Sequence, residues 1–169
     1  MGANCGDYLM RNRIASGGRR SCRHTASQPA DIKERNMTEI AANIANVALT
    51  DLADRYLAAW NETDAARRRD LIGRAWTESA IYVDPLMRGE GHAGIEAMIA
   101  GVQARFPGFQ FRRVTPVDAH GEHLRFTWEL GPAGEAALVV GTDFATVSAD
   151  GRFKGMTGFI DRAPAGLAG

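Results

Sequence analysis

The hydrophobic spacing of this 169-residue chain changes once, and that change constrains the fold more than any other feature. From Met37 to Arg105, apolar residues recur mostly every three or four positions, the period of an amphipathic helix. Leu52, Tyr56, Ala59 and Trp60 make one such stripe, and Thr38 is placed to cap the helix that carries it. Asn61-Glu62-Thr63-Asp64 stops that helix and caps a second, AARRRDLIGRAW, with Leu71, Ala75 and Trp76 expected inward. A short strand, Ser79 to Val83, ends at Asp84-Pro85, because the residue before a proline is held extended. A third helix is predicted over Gly91 to Arg105, with Ile95, Met98, Ile99 and Val102 on one face, and Pro107-Gly108 ends it. Beyond that point the period falls to two. FQFRRVTPV, HLRFTWEL, ALVVGTDFATV and RFKGMTGFID alternate as half-buried strands do, with turns at His120-Gly121-Glu122 and Asp150-Gly151. Helices followed by a strand meander predict an α+β fold in which three N-terminal helices cover one face of a curved antiparallel sheet.

Composition narrows the function classes. Lys plus Arg equals Asp plus Glu at 20 each, which removes the electrostatic warrant for a nucleic-acid or anionic-membrane partner. No apolar run reaches the length of a membrane-spanning helix. Both cysteines, Cys5 and Cys22, lie near the N-terminus, so the regular part has no disulfide framework and no thiol-ligated metal. A reducing, cytoplasmic location fits. Residues 1–36 carry seven basic and three acidic groups, few apolar residues and no periodicity. They read as a disordered basic extension, with Met37 as an alternative start, ahead of a domain over 37–163 and a tail over 164–169.

Several motifs invite a functional reading. Gly89-Glu90-Gly91-His92-Ala93-Gly94 matches a dinucleotide fingerprint, but it does not leave a buried strand directly and no βαβ unit surrounds it, so it reads as a turn into the third helix. His120 and His123 flank a turn with no third ligand spaced to complete a metal site, and none is expected. His92, at a helix start, is placed to bond a backbone group. Arg67-Arg68-Arg69 reads as a solvated helix face. Asp143 shares its strand face with Val139, Gly141, Ala145 and Val147. A carboxyl in an apolar row must be paired, reach a rim or stay protonated. Taken alone it reads as a structural acid bonded to a backbone amide or an arginine rather than as a neutral oxyanion donor. Asp84 is either a proton-abstracting base at a strand end or an ordinary turn starter. Tyr56, on the buried stripe, reads by itself as a core aromatic whose hydroxyl reaches a polar partner.

Three segments together resemble a known family: Asp54-Arg55-Tyr56-Leu57-Ala58-Ala59-Trp60-Asn61; Trp76 to Pro85 followed by Gly91-His92-Ala93-Gly94-Ile95; and Gly141-Thr142-Asp143-Phe144 leading to Asp150-Gly151-Arg152-Phe153. In order and spacing they are similar to the nuclear transport factor 2-like superfamily, in its SnoaL-like (polyketide cyclase) and ketosteroid isomerase-like branches. The resemblance implies a cone-shaped fold and a homodimer. It places Tyr56 at an oxyanion-hole tyrosine, Asp84 at a general base and Asp143 at a protonated aspartic acid, the pattern that tunes two carboxyls apart. Trp60, Trp128 and Met156 would line an apolar pocket. It implies a cofactor-independent isomerase, cyclase or dehydratase acting on a small apolar carbonyl-containing ligand. The alternative is a non-catalytic ligand-binding or interaction module of the same fold. The aromatic expected late in the last strand is Ile160 here, and the loop from Leu86 to Gly91 is this chain's own.

Overall fold

A helix of 33 residues, α1 (Pro29–Asn61), opens the fold. A proline at its first position is favourable, since the amide it lacks would have no intrahelical partner. The computed structural model describes residues 29–166; the expectations for residues 1–28 and 167–169 lie outside that range. Thr38 is not a cap. It sits inside α1, and its hydroxyl donates to the Glu34 carbonyl at 2.9 Å. Among the described side chains of α1, full burial starts at Leu52, from which Ala53, Tyr56, Leu57, Ala59 and Trp60 turn inward. Upstream, Met37, Ile40 and Val47 are exposed.

α2 (Ala65–Ala75) is capped as expected, with Asp64 Oδ1 accepting from the Arg67 amide at 2.8 Å. Its inward face is Ile72 and Ala75, with Leu71 only half-buried. The arginine run is not uniformly solvated. Arg68 is buried, donating to Glu96 at 2.8 Å, to Gln103 at 2.9 Å and to the Glu62 carbonyl at 3.0 Å. Gln103 in turn donates to the carbonyls of Trp60 and Glu62. A buried guanidinium persists only when such partners replace its water. The cluster ties the end of α1 and the start of α2 to α3 (Gly91–Arg105), whose Ile95 and Ile99 enter the core.

Strands β1 (Trp76–Val83), β2 (Arg88–Glu90), β3 (Phe109–Arg113), β4 (Asp118–His120), β5 (His123–Pro132), β6 (Val139–Val147) and β7 (Phe153–Arg162) form one sheet. Its order is β2-β1-β7-β6-β5-β3, with β4 also paired to β5. The expected turns at Gly121 (φ 59°) and Gly151 (φ 78°) take the left-handed backbone that glycine permits. The sheet is mixed rather than wholly antiparallel. β1 runs parallel to β7, while every other pair is antiparallel. The reason is topological. β1 leaves the helical half, the chain crosses through α3, and β7 returns in the same direction to fill the place beside it. The core lies between the helices and the concave face. It centres on Trp76, Tyr82, Phe126, Phe153, Ile72 and Ile95, each worth about 1.5–3 kcal/mol on full burial.

Candidate active site

Cross-strand register brings the candidate residues together. Phe126 on β5 pairs with Asp143 on β6, and Asp143 pairs with Gly158 on β7. Asp84 follows Val83, the β1 partner of Thr157, and so arrives beside Gly158. A Cβ at Gly158 would stand 3.1 Å from Asp143 Oδ1, 3.1 Å from Asp84 Cβ and 2.9 Å from the Tyr82 hydroxyl. The bare glycine is what lets two carboxyl groups and a phenol meet over one point of the sheet.

Each carboxyl has its own tyrosine. Tyr56, from α1, donates to Asp143 Oδ2 at 2.6 Å. Tyr82, from β1, donates to Asp84 Oδ2 at 3.0 Å. The other Asp84 oxygen accepts the amides of Leu86 and Met87 at 2.7 and 2.8 Å, a turn around Pro85 that fixes the carboxylate. Three donors occupy Asp84, and a carboxylate offers about four acceptor sites, so one on Oδ2 remains.

Burial sets the electrostatics. It pushes the Asp143 carboxyl up to about 6; the Tyr56 bond and the nearby Trp128 indole oppose this, and the charges of Asp84 and Asp161 add to it. The Trp128 N–H nevertheless completes no hydrogen bond, and Asp143 Oδ1 is buried without a partner. Burial, reinforced by the Asp143 charge, raises both phenols well above the ordinary tyrosine range. Tyr56 and Tyr82 therefore keep their protons and act as donors.

A cavity opens beside these pairs. Tyr56, Trp60, Tyr82, Asp84 and Trp128 stand on its walls, and the rest of its lining is apolar, from Leu86 and Met87 through Phe106 and Phe111 to Ile160. Its volume is ≈ 50 Å³. That is room for about four waters, comparable with a single six-membered ring. Asp143 and Met156 do not line it. Asp143 lies behind Tyr56, and Met156 is buried beside Tyr82 in the strand register. His92 Nε2 pairs with the Trp76 carbonyl at 2.9 Å, away from the cavity. His120 and His123 sit at their hairpin, and no group of three metal-ligating side chains occurs among the described residues.

Sequence reasoning passed over Tyr82. The signal was present: Tyr82 and Asp84 are two apart, so they share a strand face.

Comparison with known proteins places the fold in a family. Residues 53–156 match the family model described as the SnoaL-like domain. No protein of curated function matches. A crystal structure from Agrobacterium tumefaciens, named provisionally as an isomerase of the SnoaL-like family, is 43% identical, with a TM-score of 0.66 over 69% of this chain and 99% of its own. One from a Jannaschia species, named provisionally as a SnoaL-like polyketide cyclase, is 19% identical, with a TM-score of 0.56 over 68% of this chain and 86% of its own. One from an Exiguobacterium species, an NTF2-like protein of unknown function, is 18% identical, with a TM-score of 0.54 over 66% of this chain and 99% of its own. The latter two speak to fold alone. The chain is a member of the SnoaL-like domain family and has its nuclear transport factor 2-like fold.

Proposed function

We propose that this protein moves a proton on a small, one-ring carbonyl compound, with Asp84 as the base. The observation that carries the reading is the Asp84 carboxylate on the wall of a cavity otherwise lined by aromatic and aliphatic side chains. In such a site an ion meets little competing water, so its chemistry is strengthened. The free position on Asp84 Oδ2 takes a proton from the carbon between a carbonyl and a double bond. The C–H electron pair becomes a dienolate, and Asp84 returns the proton to the far carbon. Nothing is oxidised or reduced, and no cofactor is required.

Enolate stabilisation falls to Tyr56. Its proton is directed at Asp143 while that acid is ionised. A neutral Asp143 instead donates to the phenol oxygen and frees the Tyr56 O–H for the ligand. This coupling makes turnover greater below about pH 6 than above it. Trp60 and Trp128 hold the ring, and Met156 backs Tyr82 from the core.

The test is isomerisation of cyclohex-3-enone to cyclohex-2-enone, followed by ultraviolet absorbance. Wild-type protein should catalyse it, and Asp84→Asn should lose about 10²–10⁴-fold in rate. A wild-type rate no better than buffer, or an Asp84→Asn rate equal to wild type, overturns the reading. The bond already closed between Tyr56 and Asp143 favours a second reading, a binding module without turnover. That module would bind the product enone while leaving its isomer unchanged.

We also infer a homodimer through the convex sheet face. Phe144 and Phe159 stand 41% and 53% exposed there, and a second copy would cover them.

A further inference from the structure

We propose that the ligand is an amphipathic acid, with its carbonyl-bearing ring in the cavity and a carboxylate outside it at Arg105. The inference rests on the cavity being the ligand site. A groove of ≈ 520 Å³ runs along α3 beside the β1–β2 connection. It shares Leu86, Met87, Val102 and Phe106 with the inner cavity, so the two adjoin at these side chains. Gly94, Ala97 and Gly101 line the groove along α3, and a Cβ at Gly101 would meet nothing within 4 Å. The inner space holds one ring and the outer space is far larger, so the shape suits a ligand that is compact at one end and extended at the other.

Charge sets the direction. The deep end carries Asp84, with Asp143 behind it, and both repel an anion. The groove carries Arg88 and Arg105. Arg88 is 3.1 Å from Glu90, so much of its charge is answered already. Arg105 is exposed, and among the described residues no carboxylate lies within ion-pair distance of it. Its guanidinium rests 5.8 Å from the centre of the Phe106 ring, a residue common to cavity and groove. That contact holds an unanswered positive charge at the mouth. A ligand with one carboxylate therefore enters ring first, and its acid stays at the rim.

The probes are 4-oxo-4-phenylbutanoate and its neutral amide, with binding followed by calorimetry. The acid should bind about three- to tenfold more tightly than the amide at about 0.02 M salt, and the preference should shrink at about 0.5 M. Arg105→Gln should abolish the preference and leave the amide affinity unchanged. Equal binding of acid and amide, or a preference that survives Arg105→Gln, overturns the proposal and leaves the proton-transfer reading standing. Failure of both probes to bind overturns the proposal together with the cavity as a ligand site. Inactive Asp84→Asn protein that still prefers the acid supports the proposal independently of the chemistry.

Discussion

Gly158→Ala should destabilise the protein, although alanine is normally the better strand residue. Gly158 does not lie in the left-handed backbone region, so its conformation accepts a side chain. Replacing glycine at such a position restricts the unfolded chain and gains about 0.4–1 kcal/mol. Against this, the new methyl would sit 2.9 Å from the Tyr82 hydroxyl and 3.1 Å from both Asp143 Oδ1 and Asp84 Cβ. None of the three can retreat easily. Tyr82 is 2% exposed among core aromatics, Asp143 is fully buried, and Asp84 Cβ is one bond from the backbone. Overpacking of this kind costs about 1–3 kcal/mol. The net loss is about 1–2 kcal/mol, or about 3–8 °C in Tm. Gly155→Ala is the control. It lies on the same strand, with nothing within 4 Å of its added methyl, and should be neutral or slightly stabilising. Urea unfolding followed by tryptophan fluorescence measures both. If the two variants differ by less than about 0.5 kcal/mol, the crowding argument fails.

Asp143 should leave a pH signature. Its folded carboxyl is raised from 3.8 to about 6, so the folded protein holds the proton more tightly than the unfolded chain. Stability from this group is therefore fully present below about pH 4 and lost as pH rises through about 6. The loss is about 2–4 kcal/mol, read as the difference between wild type and Asp143→Asn in urea midpoints from pH 4 to 7; parallel curves would refute it. Wild-type protein should run at twice the chain mass in light scattering, and Phe159→Glu should run as a monomer; a monomeric wild type ends the dimer assignment.

The helical half of the fold was legible because its signals are local. The bounds of α3, the Asp64 cap and the two glycine turns depend on residues within a turn or two of one another. Alternation grouped Asp143 with Val139, Gly141, Ala145 and Val147, but both faces of the strand are largely apolar, and only the structure shows that this face is the inward one. The misreadings share a cause. The burial of Arg68 depends on Glu96 and Gln103, 28 and 35 residues away, and nothing in an arginine triplet announces them. The parallel pairing of β1 with β7 joins opposite ends of the domain, and hydrophobic period carries no strand direction. β4 has three residues, too few for alternation to register. The start of α1 at Pro29 was missed, and the helix runs on past Met37 and Ile40, which stay exposed. At the site, spacing placed Asp84, Tyr56 and Asp143 near one another through the family pattern. That the phenol already bonds the buried acid is a matter of 2.6 Å, which no sequence pattern encodes.

The strand that comes last in the sequence does not lie at an edge: β7 is wedged between β1 and β6. Before that strand is in place, the half bearing Asp84 and the half bearing Asp143 meet through α1, as at Tyr56 and Asp143, but have no strand ladder between them. Closure waits for Phe153–Arg162 to emerge and zip into both sides at once, a long-range step of the kind that slows folding. The proton chemistry proposed for this protein thus comes into being in the final act of its assembly.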